Sequence, residues 1–312
     1  MASGRGAPKS VGNGPVQRDK DIVLEGNRGL SQRASDTPFS RGRGWTKLYE
    51  PVPPRSAPPT LSSLSSQRSG LLLGEHRVRV TEPTKFPFST VCDLRFHDES
   101  GHLWGGTGTL VGQRVVLTAG HNVFDPSKNP RRGWFPNMQV IPGLDGDLAN
   151  TPFPTVQTNV FRSTDLWTDQ SSDQWDVGAI LLPSPLGDSA GWMAIANLTT
   201  GTLQGLAVHI VGYPVDCPGA AAECGPPGTT MWMDAGNIVQ IDGQFARYNV
   251  TTSAGDSGAP AIAVFPTASD DNQFQLVAVH TEGFDLQTNR GVRITPELLT
   301  LIQQWMADSV PS

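Results

Sequence analysis

Residues 251–260 read TTSAGDSGAP, with Ser257 between Gly255 and Gly258 and a carboxylate, Asp256, directly before it. Acyl transfer needs a nucleophilic hydroxyl exposed on a tight turn, with backbone N–H groups beside it aimed at one point to hold a tetrahedral oxyanion. Glycine permits the dihedrals and the close approach of substrate that such a turn demands. The stretch is not a G-x-S-x-G elbow, because Ala259 stands where the second glycine would be. A Gly/Ser/Asp cluster is by itself an ordinary surface turn. It acquires chemical meaning only with a general base and a supporting carboxylate elsewhere.

Both are found upstream. Residues 106–125 read GTGTLVGQRVVLTAGHNVFD, two apolar runs about a Gly112-Gln113 turn, the second ending in Thr118-Ala119-Gly120-His121. A histidine at a strand end after two small residues can project into a cleft and act as general base. Residues 176–182, DVGAILL, place Asp176 at the mouth of a buried apolar run. There it can accept an N–H bond from the imidazole and fix its tautomer. Asp165, Asp169 and Asp173 compete for that role, but none of them opens an apolar strand. The chain order is His121, Asp176, Ser257. His76, His97, His102 and His209 have no such setting, and no HExxH or Cys/His ligand spacing surrounds them. Neither a metal nor a cofactor is expected.

The elements that must position these residues are short strands. In 312 residues there are 34 glycines and 26 prolines, a balance that suits strands joined by turns better than helices. Alternating or continuous apolar runs predict strands at 77–80, 90–96, 108–111, 115–118, 155–161 and 275–281. One helix is expected near the C-terminus, with Thr295 as N-cap, Pro296 at its first position, Glu297 in the first turn, and Leu298, Ile302, Trp305 and Met306 at helical spacing.

Residues 1–70 differ in kind. Rich in Ser, Gly, Pro and Arg and without periodicity, they are expected to be disordered or loosely docked. The net charge of −6 hides an asymmetry: 11 Lys+Arg against 5 Asp+Glu in residues 1–70, and 12 against 24 in residues 71–312. The basic residues of the tail lack aromatic interleaving, so no nucleic-acid partner is expected. No apolar run is long enough to span a membrane, and the N-terminus, MASGRGAPKS, has no apolar h-region. Cys217 and Cys224 flank a short loop and could pair, which would leave Cys92 free.

The motifs together resemble the chymotrypsin-like serine proteases, whose nucleophile loop reads GDSG followed by a small residue and proline. The chain order of the three residues is also theirs. Within that family, residues 72–312 are similar to the glutamyl endopeptidase (V8-like) branch. The similarity rests on LGEHRVRV at 73–80, GTLVG and TAGHNV around His121, DVGAILL at Asp176, GYP at 212–214, the run from Tyr248 to Pro260, and VHTEG with NRGVRI at 279–294. The resemblance implies an all-β fold of two antiparallel six-stranded barrels with a C-terminal helix, barrel one at about 71–185 and barrel two at about 186–312. It implies a serine endopeptidase, expected as a monomer, acting on proteins or peptides with a preference for glutamate before the cleaved bond. Ser257 is then the nucleophile, His121 the proton shuttle and Asp176 its orienter, with the N–H groups of Gly255 and Ser257 as the oxyanion hole. His280 falls at the position of a pocket histidine that pairs with an acidic side chain, and Thr252 at that of a pocket hydroxyl. Glu282, two residues beyond His280, would repel an acidic substrate if it faced the same pocket.

Three further expectations follow from the resemblance. Many relatives carry a disulfide beside the catalytic histidine, and its two positions here are Gly106 and Asn122. Residues 1–70 would be a prosegment cut near Gly70–Leu73, freeing an α-amino group that helps build the substrate site, with Asp256 a candidate partner; a permanent tether is the competing reading. Relatives of this type are exported, whereas no secretory signal is visible here.

Overall fold

In the computed structural model, residues 22–24, 75–128, 133–219, 223–265, 273–283 and 287–309 are described. The strands run β1 (Ile22–Leu24), β2 (Val78–Arg79), β3 (Val91–His97), β4 (Leu103–Gly112), β5 (Val115–Thr118), β6 (Met138–Pro142), β7 (Val156–Thr158), β8 (Phe161–Ser163), β9 (Gly178–Leu181), β10 (Ala194–Asn197), β11 (Ala207–Gly212), β12 (Trp232–Asp242), β13 (Phe245–Tyr248), β14 (Pro260–Phe265), β15 (Gln273–Gly283) and β16 (Asn289–Arg293). A helix, Pro296–Asp308, follows.

Strands β3 to β9 form one antiparallel sheet in the order β7-β6-β3-β4-β5-β9-β8. The single strand expected at 155–161 is in fact two. β7 pairs with β6 and β8 pairs with β9, so one bent run joins both ends of the sheet in place of a closing ladder. Thr158 Oγ1 donates to the Leu181 carbonyl at 2.9 Å and the Leu181 N–H to the Val160 carbonyl at 2.8 Å, which fixes the bend. Strands β11 to β16 close into a six-stranded antiparallel barrel in the order β15-β14-β11-β12-β13-β16, with β16 returning to β15. β10 adds to β15 in parallel. β2 pairs with β12, so the stretch leading into the first sheet belongs to the second. The disorder expected for residues 1–70 lies outside the described residues, apart from β1. Those three residues form an antiparallel edge strand on β10.

In place of two six-stranded barrels there are thus one closed barrel and one seven-stranded sheet curled into a half-barrel, and each has an apolar interior. Leu94, Leu110, Val116, Met138 and Ile180 fill the half-barrel, and Val208, Ile210, Ile238, Ala261 and Val277 the closed barrel. Strands β5 and β9 are buried at every position, as their unbroken apolar runs require. A third cluster welds the two: Val111, Leu117 and Leu181 meet Val211, Ile262 and Val279, and Leu298, Leu299, Ile302 and Trp305 of the helix complete it. Each such side chain contributes about 2 kcal/mol by leaving water. Thr295 caps the helix by accepting the Leu298 N–H, with Pro296 in the first turn. No helix among the described residues is long and apolar enough to cross a membrane. Cys217 and Cys224 are joined, their Cα atoms 5.8 Å apart, and Cys92 is a free, buried thiol.

Candidate active site

His121 and Asp176 meet at the end of the half-barrel. β5 ends at Thr118, and a 3₁₀ turn, Gly120–Asn122, carries His121 out of the sheet. Asp176 leaves a second 3₁₀ turn, Asp173–Trp175, just before β9, and β5 and β9 are paired neighbours. Asp176 Oδ2 lies 2.7 Å from His121 Nδ1, and its Oδ1 accepts the His121 N–H at 2.8 Å. Both oxygens of this carboxylate, whose side chain is 9 % exposed, are thus spent on one histidine. Burial works against the imidazolium, but the charge and hydrogen bond of Asp176, with Glu282 further off, outweigh it and hold the His121 pKa above its ordinary value. The Trp167 ring packs edge-on against the imidazole, centroids 6.5 Å apart.

Ser257 sits between two glycines at positive φ. Gly255 has φ +97° and Gly258 φ +88°, a region that residues with a Cβ avoid. A Cβ on Gly258 would overlap the Thr107 carbonyl oxygen and Thr118 Oγ1 and lie 3.0 Å from Ala119 N. Gly258→Ala should therefore cost roughly 3 kcal/mol from backbone strain and overpacking. Thermal unfolding should shift down by roughly 10 °C, and a variant melting with the parent would refute this account. The Asp256 N–H is bound to the Ser253 carbonyl and the Gly258 N–H to that of His280. Among the described residues the N–H groups of Gly255 and Ser257 have no acceptor. The Ser257 hydroxyl donates to the Thr281 carbonyl at 3.4 Å, a long bond.

Several residues that sequence reasoning missed tie this loop to the histidine. Thr107 of β4 donates its N–H to the Ser257 carbonyl at 2.8 Å and its Oγ1 to the Gly255 carbonyl at 2.8 Å, while accepting the Tyr213 N–H. Asn122 Nδ2 donates to the same Ser257 carbonyl at 2.8 Å and to Thr118 Oγ1 at 3.0 Å. Its side chain fills the space a Cβ on Gly106 would need. The two positions where relatives carry a disulfide are thus packed against each other, and the amide reaches on to the nucleophile's backbone.

His280 and Thr252 are 2 % and 1 % exposed. His280 Nδ1 lies 2.7 Å from the Tyr248 hydroxyl. Burial and the nearby His121 cation push the His280 pKa down to about 3, against the pull of the Arg290 carbonyl, so the imidazole is neutral. Glu282 does not present a bare carboxylate. Arg290 Nε donates to its Oε1 at 2.9 Å while Arg290 Nη2 reaches Asp173 Oδ2 at 3.4 Å, and the guanidinium lies 4.0 Å from the centre of the Phe245 ring. Neither Tyr248 nor Arg290 had a signal of its own beyond lying inside motifs already singled out.

No family model matches the chain. The glutamyl endopeptidase of Bacillus licheniformis is 28 % identical over 233 residues, 74 % of this chain and 67 % of that protein. The glutamyl endopeptidase of Staphylococcus epidermidis is 23 % identical over 256 residues, 80 % of this chain and 78 % of that one. A Bacillus subtilis protein named extracellular metalloprotease is 28 % identical over 240 residues, covering 77 % and 70 %. Among solved structures, a Glu endopeptidase in complex with MPD superposes with a TM-score of 0.62 at 22 % identity, over 76 % of this chain and 99 % of that one. The protease Anisep from Arthrobacter nicotinovorans gives 0.57 at 15 %, over 74 % and 99 %. The fold is that of the chymotrypsin-like serine proteases. In sequence the chain is similar to the glutamyl endopeptidases. As for the metal in the Bacillus subtilis protein's name, among the described residues no three His, Cys, Asp or Glu side chains converge as metal ligands do.

Proposed function

We propose that the chain is a serine endopeptidase in which Ser257 attacks the scissile carbonyl, His121 takes and returns the proton, and Asp176 orients His121. The observation that carries this reading is the doubly bonded His121–Asp176 pair, with the adjacent Asn122 bonded to the backbone of a glycine-flanked serine whose loop leaves the Gly255 and Ser257 N–H groups uncommitted. In the attack Ser257 Oγ leaves the Thr281 carbonyl, gives its proton to His121 Nε2 and forms the C–O bond. The substrate oxygen takes up negative charge between the Gly255 and Ser257 amides. Collapse expels the amine, which receives the proton from His121, and water then repeats the sequence to release the acid.

The preferred substrate carries glutamate before the cleaved bond, held by His280 and Thr252. An entering carboxylate would raise the His280 pKa and pair with the resulting imidazolium. The Arg290 bond to Glu282 supports this preference, because it offsets the charge that would repel such a substrate. Residues 1–70 are read as a segment removed near Gly70–Leu73. To test the preference, glutamyl and leucyl peptides are compared on the parent and on His280→Ala. The ratio of their kcat/KM values should fall roughly 10²-fold, the loss of one charge-assisted hydrogen bond. An unchanged ratio would leave the enzyme a protease of broader specificity. No cleavage by the parent would leave the chain a silent binding module.

A further inference from the structure

Asp256 poses an electrostatic problem. It directly precedes the proposed nucleophile and is 4 % exposed. Burial pushes its carboxyl up to about 7, against the pull of the Ser253 N–H and of the Arg77 guanidinium. The groups facing it are Arg77 and Glu75 ahead of β2, Asp216 after β11, and the Tyr248 phenol on β13. Of these only Arg77 is a cation.

Arg77 is held with little freedom. Its side chain is 2 % exposed. Nη1 and Nη2 make a parallel pair of bonds to Asp216, 2.9 Å each. Nε and Nη2 reach the two oxygens of Glu75 at 3.0 and 2.7 Å. Nη1 also donates to Ser253 Oγ at 3.0 Å. Ser253 passes the constraint on: its Oγ donates to Asp216, its N–H donates to Asp256 Oδ2 at 2.9 Å, and its carbonyl accepts the Asp256 N–H at 3.1 Å. Burying a guanidinium costs about as much as its pairing returns, so stability alone does not account for this cluster. Its place against the loop does: Ser253, which it holds, lies four residues before Ser257.

We propose that Arg77 is a positioning residue for the nucleophile loop. Through Asp216 and Ser253 it holds residues 253–257 in the turn that leaves the Gly255 and Ser257 amides free, and it places a buried positive charge opposite Asp256. This rests on the reading of Ser257 as the nucleophile. Because the charge comes from within the chain, the loop is ordered whether or not an α-amino group is freed near residue 70.

The test uses the full chain and the variants Arg77→Gln, Arg77→Lys and Asp216→Asn. The readouts are kcat and KM on a glutamyl peptide, labelling by a fluorophosphonate, circular dichroism, and ¹³C NMR titration of the Asp256 carboxyl. Arg77→Gln should lower kcat on the order of 10²-fold with KM within about twofold, the effect of a displaced oxyanion donor. Arg77→Lys keeps the charge without the fork and should recover part of the loss. Asp216→Asn should lose about tenfold, one hydrogen bond's worth. The Asp256 carboxyl should titrate at higher pH in Arg77→Gln than in the parent. A folded Arg77→Gln protein with the parent's kcat overturns the proposal, as does an Arg77→Lys protein no better than Arg77→Gln. Should Arg77→Gln fail to fold, unchanged kcat in the other two variants overturns it equally. A parent that neither cleaves peptides nor takes the label defeats the peptidase reading instead. The Asp256 titration then decides alone, read in the equally uncharged Arg77→Met if Arg77→Gln is unfolded, and the same midpoint in parent and variant overturns the role of Arg77.

Discussion

Ser257→Ala protein is expected to fold as the parent does and to hydrolyse peptides slower by a factor on the order of 10⁴ or more. The fold should survive because the hydroxyl makes a single long bond, to Thr281, whereas the backbone of Ser257 is held by Thr107 and Asn122 through its carbonyl. Those contacts do not involve the side chain. The rate should collapse because an oxyanion site without its nucleophile retains little of the acceleration. The comparison is of kcat/KM on a glutamyl peptide, with thermal unfolding recorded on the same samples. Fluorophosphonate labelling should vanish in parallel. Near-parental turnover in pure Ser257→Ala protein, melting normally, would sink the assignment of the nucleophile.

The second large effect belongs to Asp176. Its carboxylate raises the His121 pKa above the ordinary value of about 6.5 despite burial. The general base must be neutral, so kcat/KM of the parent should rise with pH along a limb centred above that value. Asp176→Asn removes the negative charge. The imidazolium loses its stabilisation, the His121 pKa falls, and the acid limb moves to lower pH. The plateau should drop on the order of 10⁴-fold, because an amide at Nδ1 favours the wrong tautomer. The two changes have opposite senses, and that separates them from simple unfolding, which would lower the rate at every pH without moving the limb. A limb that stays in place in Asp176→Asn would show that this carboxylate does not control the histidine.

The proposed chemical residues stand out in the sequence because each carries a local signature. Ser257 lies in GDSG, His121 ends an apolar run after two small residues, and Asp176 opens another. The terminal helix is legible for the same reason: a cap, a proline and a 3.6-residue apolar stripe act within a few residues of one another. β5 runs over the residues its apolar pattern predicts, Val115–Thr118. These features depend on short-range physics, which a linear string contains in full.

The tertiary structure decided what lies across the cleft. Thr107 holds Gly255 from 148 positions away, and Arg77 holds Ser253 from 176. Neither residue has a neighbour in sequence that marks it. Their roles follow from strand register, which brings β4 against the nucleophile loop and lays β2 along β12. The bent closure through β7 and β8 is of the same kind: a strand pattern at 155–161 says that the residues are extended, but not which partner each half will choose. Glu282 is the clearest case. In sequence it is a bare charge two residues from His280. In the fold the β15–β16 register sets it opposite Arg290, whose bond offsets it. Hydrogen-bond partners of this sort are chosen by the pairing of distant strands, and that choice is settled by burial of the whole apolar face, not by the residues at the contact.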